Sequence, residues 1–193
     1  MNLIKTLKSK NPFDISFALI ALALGASLIP QTLQYIEFYK SMENLSIKIN
    51  DISFQLSPYM KVNVELAVSN PSGYSKLELE EIRADLFYEG EPHEEILPWG
   101  PYVGTPYQKV NTTWWKISSQ FSKVKEMIPP HGSINSTLEF SVHLEKQEQF
   151  VKFYEQREQS ETIVWRVKGI AFISTNNFLE KFYLQFDEIY QKS

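Results

Sequence analysis

The chain has 193 residues, 43% hydrophobic and 22% charged, a balance that supports a packed core and excludes a disordered hydrophilic protein. A formal net charge of −4 excludes a basic face for nucleic acid. The absence of cysteine excludes disulfides, thiolate catalysis and cysteine metal sites.

Residues 1–14 carry Lys5, Lys8 and Lys10 and read as a short basic N-terminus. An uncharged apolar run, Ile15 to Ile36, follows. At about 1.5 Å per residue it reaches about 33 Å, enough for a hydrocarbon core of about 30 Å. Phe13 and Phe17 flank one end, and Tyr35, Phe38 and Tyr39 the other, where ring and hydroxyl suit a membrane interface. The lysines favour a cytoplasmic N-terminus, so residues 15–36 are expected to be a signal-anchor transmembrane helix with the rest of the chain extracytoplasmic. Two other readings are a cleavable signal peptide, with Gly25-Ala26-Ser27 as the cleavage region, and a buried helix. Residues 37–44 are expected to link the anchor to a β domain at 45–190.

From Leu45 the apolar period becomes two. Leu45, Ile47 and Ile49 alternate with polar residues, and Ile52, Phe54 and Leu56 resume on the other parity, so Asn50-Asp51 marks a bulge. Met60 to Val68 is a half-buried strand, and Asn70-Pro71-Ser72-Gly73 is turn chemistry. Leu77 to Tyr88 is a strand with a parity change at Glu80-Glu81. Glu89 to Pro106, rich in Gly, Pro and acidic residues, is expected to be a long loop or irregular edge. Val110 to Phe121 and Ile134 to Leu144 read as strands around a Pro129-Pro130-His131-Gly132 turn. Lys146 to Gln159 has near-helical spacing through Phe150, Val151, Phe153 and Tyr154. Two strands close the domain, Thr162 to Ser174 and Phe178 to Ile189. The expected class is therefore all-β, an antiparallel immunoglobulin- or fibronectin-III-like sandwich of about seven strands with one short helix, with a barrel as the alternative.

Val62 to Glu91, VNVELAVSNPSGYSKLELEEIRADLFYEGE, resembles the type-2 late-embryogenesis-abundant family, also called the water stress and hypersensitive response (WHy) domain. The matching positions are Asn70, Pro71, Tyr74, Leu86, Tyr88 and Gly90. Ile128 to Leu144 is similar to the family's proline–glycine turn and strand, and Val164 to Phe186 to its last hairpin, with Gly169 inside a strand. The resemblance implies a sandwich with a helix at one end, no catalytic residues, frequent attachment by one N-terminal membrane segment, and a part in stress or desiccation tolerance.

No G-x-S-x-G, H-E-x-x-H or phosphate-cradling glycine loop occurs, so no catalytic residue, cofactor or metal is expected. A hydrolase or metal site would have to use His93 with Glu91, Glu94 and Glu95, a run that otherwise reads as a solvated acidic loop. His131 and His143 stand alone in sequence. Trp99, Tyr102, Tyr107, Trp114 and Trp115 form the densest aromatic group, a contact surface for lipid, glycan or protein, or else a core position at Trp114 and an edge cover at Trp115. Asn44, Asn111 and Asn135 begin glycosylation sequons. The expected function is a non-enzymatic, membrane-anchored binding or stress-protective module. The alternative is an envelope lipid-binding, transfer or assembly module with an apolar groove and a lipid or envelope-protein partner.

Overall fold

The computed structural model describes residues 12–56, 58–98, 107–156, 162–175 and 178–191. It divides into two compact units, Met1–Glu43 and Asn44–Ser193.

The described part of the first unit belongs to helix α1, Pro12–Asn44. It passes through Pro30 and continues across the expected 37–44 linker, because Glu37 to Asn44 holds neither Gly nor Pro to end it. The Ser27 hydroxyl donates to the Leu24 carbonyl at 2.8 Å and that of Thr32 to the Leu28 carbonyl at 2.9 Å. These side chains thus satisfy themselves on their own helix and need no water. The stretch Leu19–Asn44 is long and apolar enough to cross a membrane, with mean hydropathy 1.4 in a window none of which is buried.

The second unit is mostly strand: β1 Ser46–Gln55, β2 Lys61–Asn70, β3 Leu77–Pro98, β4 Tyr107–Ile128, β5 Gly132–Ser141, then helix α2 Leu144–Gln156, β6 Val164–Thr175 and β7 Phe178–Gln191. All pairings are antiparallel, in a three-stranded sheet β1-β2-β5 and a four-stranded sheet β4-β3-β6-β7. The register of β1 on β2 shifts between Ile49 and Asp51, so the extra residue at Asn50 returns Ile52 to the face already occupied by Ile47. The register of β3 shifts likewise between Leu79 and Glu81, where the apolar parity changes.

One face of each sheet is apolar. Val62, Val64, Leu66 and Val68 on β2 are fully buried, opposite Phe140, Leu138, Ser136 and Ile134 on β5. Leu79, Ile82 and Leu86 on β3 and Val167, Ala171 and Ile173 on β6 supply the other sheet. Each such side chain contributes about 1.5–3 kcal/mol when removed from water. Bonds cross between the sheets: Tyr190 donates to Asp51 at 3.0 Å and Ser118 to the Ser141 carbonyl at 2.9 Å. Edge strand β1 lies beside β7, and β5 beside β4, which protects edges that would otherwise pair with other chains.

Helix α2 closes one end. Its Phe150 is fully buried among Phe54, Tyr88 and Trp165, with ring centroids at 5.6, 5.2 and 5.5 Å. Gln147 pins the helix to the β1–β2 hairpin by accepting from the Met60 N–H at 3.0 Å and donating to the Leu56 carbonyl at 3.1 Å. Residues 89–98, expected to be loop, instead extend β3. From His93 to Pro98 they pair with β4 alone, forming a two-stranded ribbon beyond the four-stranded sheet. Its backbone bonds are met by Tyr107 to Thr112, and Glu94 pairs with Lys109 at 2.7 Å.

Candidate functional site

Three of the residues that carry the family resemblance, Asn70, Pro71 and Tyr74, form a structural lock. Asn70 is fully buried and its side-chain amide donates to the Tyr74 carbonyl at 2.8 Å. Its Oδ1 accepts from the Ser72 N–H at 3.1 Å and the Ser72 hydroxyl at 2.6 Å, which fixes the turn that Pro71 begins. The Tyr74 hydroxyl meets the Thr175 hydroxyl at 3.0 Å, tying the turn to β6. His131, isolated in sequence, joins this network. Its N–H donates to the Ser72 carbonyl and its Nδ1 meets the Pro71 carbonyl, both at 2.9 Å. The residue adopts φ 52°, a left-handed conformation at the turn before β5. The signal available in the sequence was its place between Pro130 and Gly132, not its imidazole.

Of the aromatic group, Trp99 and Tyr102 lie outside the described residues, as does the side chain of Tyr107. Trp114 and Trp115 occupy opposite faces of β4, opposite Glu89 and Tyr88. Neither is fully buried. The core position expected for Trp114 is not observed. Its ring instead lies on the outer face beneath the Arg166 guanidinium, at 5.3 Å. Trp115 stacks on His93 at 3.8 Å and donates from Nε1 to the Glu91 carbonyl at 2.9 Å. A Cβ at Gly90 would stand 2.8 Å from Trp115 Cδ1, so glycine there lets the indole lie across the ribbon. His93 Nδ1 is buried under this stack without a hydrogen-bond partner, while Glu94 turns to Lys109. The acidic run thus does not converge, and among the described residues no group of three His, Asp or Glu side chains could hold a metal ion.

The cross-strand register builds a second surface, the outer face of the four-stranded sheet. Three successive rows run Ser119–Asp85–Lys168–Asp187, Phe121–Arg83–Ile170–Gln185 and Lys123–Glu81–Phe172–Tyr183. The face is concave, an open trough of 1310 Å³ lined by Glu81, Arg83, Asp85, Phe121, Lys168 and Asp187 among others. Gly169 lies in the middle of β6 at its floor, where a Cβ would stand 2.3 Å from the Arg83 carbonyl oxygen. Its lack of a side chain permits the close approach of β6 to β3.

Each of the three carboxylates lining this trough has a cation beside it. Arg166 makes two 2.6 Å bonds to Asp187, and these hold the Asp187 carboxyl below its ordinary range and raise the guanidinium. Lys116 pairs with Asp85 at 2.9 Å, and Arg83 with Glu81. The Arg83 guanidinium also sits 5.0 Å over the Phe172 ring. On the inner side, burial pushes the Tyr88 phenol up to about 12. The described concavity is therefore charged and external, whereas the inner faces are filled by side chains. The sequon residues Asn44, Asn111 and Asn135 are all exposed.

No protein-family model matches this sequence, and no curated protein does. Several solved structures are distantly similar. A protein from Archaeoglobus fulgidus matches with TM-score 0.39 and 10% identity over 78% of this chain and 98% of its own. The sporulation control protein Spo0M of Bacillus subtilis matches with TM-score 0.33 and 10% identity over 74% of this chain and 49% of its own. A chain provisionally assigned to the late embryogenesis abundant proteins matches with TM-score 0.34 and 11% identity over 89% of this chain and 85% of its own. Likeness this distant transfers neither activity nor family.

Proposed function

We propose that this chain is a non-enzymatic, single-pass membrane protein presenting a WHy-type, fibronectin-III-like sandwich outside the cytoplasm as a binding or stress-protective module. Helix α1 carries this reading: an uncharged apolar segment with no buried residue in its most apolar window needs a non-aqueous environment. Lys5, Lys8 and Lys10 ahead of it favour a cytoplasmic N-terminus. The strand order supports the sandwich type, because it equals the constant immunoglobulin arrangement with the fourth strand moved to the other sheet. The bonded Asn70-Pro71-Ser72-Gly73-Tyr74 turn supports the family kinship, since the shared positions are those that set the turn. The filled inner faces and the charged outer trough favour a polar partner over an acyl chain.

A cysteine-free chain makes the topology directly measurable. In intact cells, a membrane-impermeant maleimide is expected to label Thr137→Cys on β5 and to leave Ser9→Cys unlabelled until lysis. Labelling in the opposite pattern overturns the orientation, and release of the chain by alkaline carbonate overturns the anchor.

A further inference from the structure

We infer that the trough on the outer face of β4-β3-β6-β7 binds a neutral polysaccharide chain. This deepens the exported, non-catalytic reading above and rests on it, because such polymers are encountered outside the cytoplasm.

The argument begins with charge. Every carboxylate that lines the trough already has a cation beside it: Asp187 with Arg166, Asp85 with Lys116, Glu81 with Arg83. By register Lys168 stands between Asp85 and Asp187. A polycation would have to break these pairs to gain its own, and a polyanion reaching for Lys123 or Lys168 would meet the carboxylates that flank them. An acyl chain would bury them out of water, which is costly for ions even when paired. A hydroxyl suffers neither penalty. It donates to the carboxylate and accepts from the cation while the pair stays intact.

Aromatic exposure supplies the second requirement. Phe121 is 61% exposed although it sits in the row with Arg83 and Ile170, and Tyr183 is 66% exposed beside Phe172. Phe121 lines the trough and Tyr183 stands in the next row of the same face, and such rings left in water offer flat, electron-rich platforms to the C–H faces of a pyranose. The neutral amide of Gln185, in the row with Arg83 and Ile170, lines the same hollow and can both donate and accept. Size decides between a single sugar and a chain. The 1310 Å³ trough is open and exceeds the roughly 300–1,000 Å³ of enclosed small-molecule pockets. An extended polymer fits this shape better than one small molecule.

The test uses the full chain in a detergent without a sugar headgroup, run in native gels containing soluble β-glucan, mannan, amylose or arabinoxylan, with heparin gels and anionic vesicles in parallel. At least one neutral polysaccharide is expected to retard the protein. Phe121→Ala and Tyr183→Ala are expected to weaken that retardation at least tenfold without changing the melting temperature. Tyr59→Ala, which removes an equally exposed ring in the β1–β2 connection, is expected to behave as wild type. The inference is overturned by no retardation in any of the four, by retardation that survives both ring variants, or by binding to heparin or vesicles alone. Its failure is separable from that of the topology: labelled Thr137→Cys with no retardation removes the trough ligand and leaves the exported anchor standing.

Discussion

At position 169 any side chain would begin 2.3 Å from the Arg83 carbonyl oxygen and 2.7 Å from the Phe186 ring. The ring can shift, but a backbone oxygen in a paired strand cannot. Gly169→Ala is therefore expected to destabilise the domain by about 1–3 kcal/mol, lowering the melting temperature by roughly 2–4 °C per kcal/mol. Adding Phe186→Leu should not restore it, and full rescue in thermal melts would locate the strain in the ring instead. Asp187 gives a pH dependence. Its hydrogen bonds to Arg166 lower its native pKa, so the pair stabilises the fold above the unfolded value of about 4 and loses that contribution as pH falls through the native value. Glu80, lowered by its bond to Lys181, acts in the same direction. Because the Arg166–Asp187 pair is partly solvated, Asp187→Asn is expected to cost at most about 1 kcal/mol at pH 6 and less at pH 3. Urea melts at the two pH values check this, and equal losses at both would refute it.

Among the elements, α2 depends on one ring. Phe150 joins aromatics from β1, β3 and β6, so Phe150→Ala should cost about 3–5 kcal/mol and weaken the near-ultraviolet dichroism of Trp165. An unchanged spectrum with unchanged stability would show that Gln147 alone holds the helix. This helix was legible because its charged, glycine-free segment repeats apolar residues near 3.6; it runs over 144–156, and the expected 157–159 lie outside the described residues. The slips at Asn50-Asp51 and Glu80-Glu81 were legible too, since a bulge in a half-buried strand must swap the apolar parity. The ribbon was not. A two-stranded arm lacks a sheet to bury one face against, so Glu89 to Pro98 carries no alternation, and Gly90 and Pro92 look like loop punctuation. The continuation of α1 through 37–44 was hidden for the opposite reason: its residues tolerate a helix without announcing one.

For the whole domain, composition and period identified strands but not which sheet each would join. The trough exists only after β3 and β6 have aligned Asp85 with Lys168 and Arg83 with Ile170, positions far apart along the chain. In sequence those residues look like ordinary solvent-facing alternation, and so did Phe121. The strand order itself has a consequence for time. The β1–β2, β3–β4 and β6–β7 pairs are neighbours along the chain and can zip locally, but Lys61 must find Ser141 and Leu77 must find Thr175 before either sheet is complete. Loop closure over such separations is an entropic toll collected before the contacts reward it. Stopped-flow refolding of the protein is therefore expected to fall in the millisecond-to-second range of non-local β proteins, and a microsecond relaxation would contradict it. Until those two long-range seams close, the three hairpins exist as loose ribbons with sticky borders, and a newly made chain depends on how quickly they find one another.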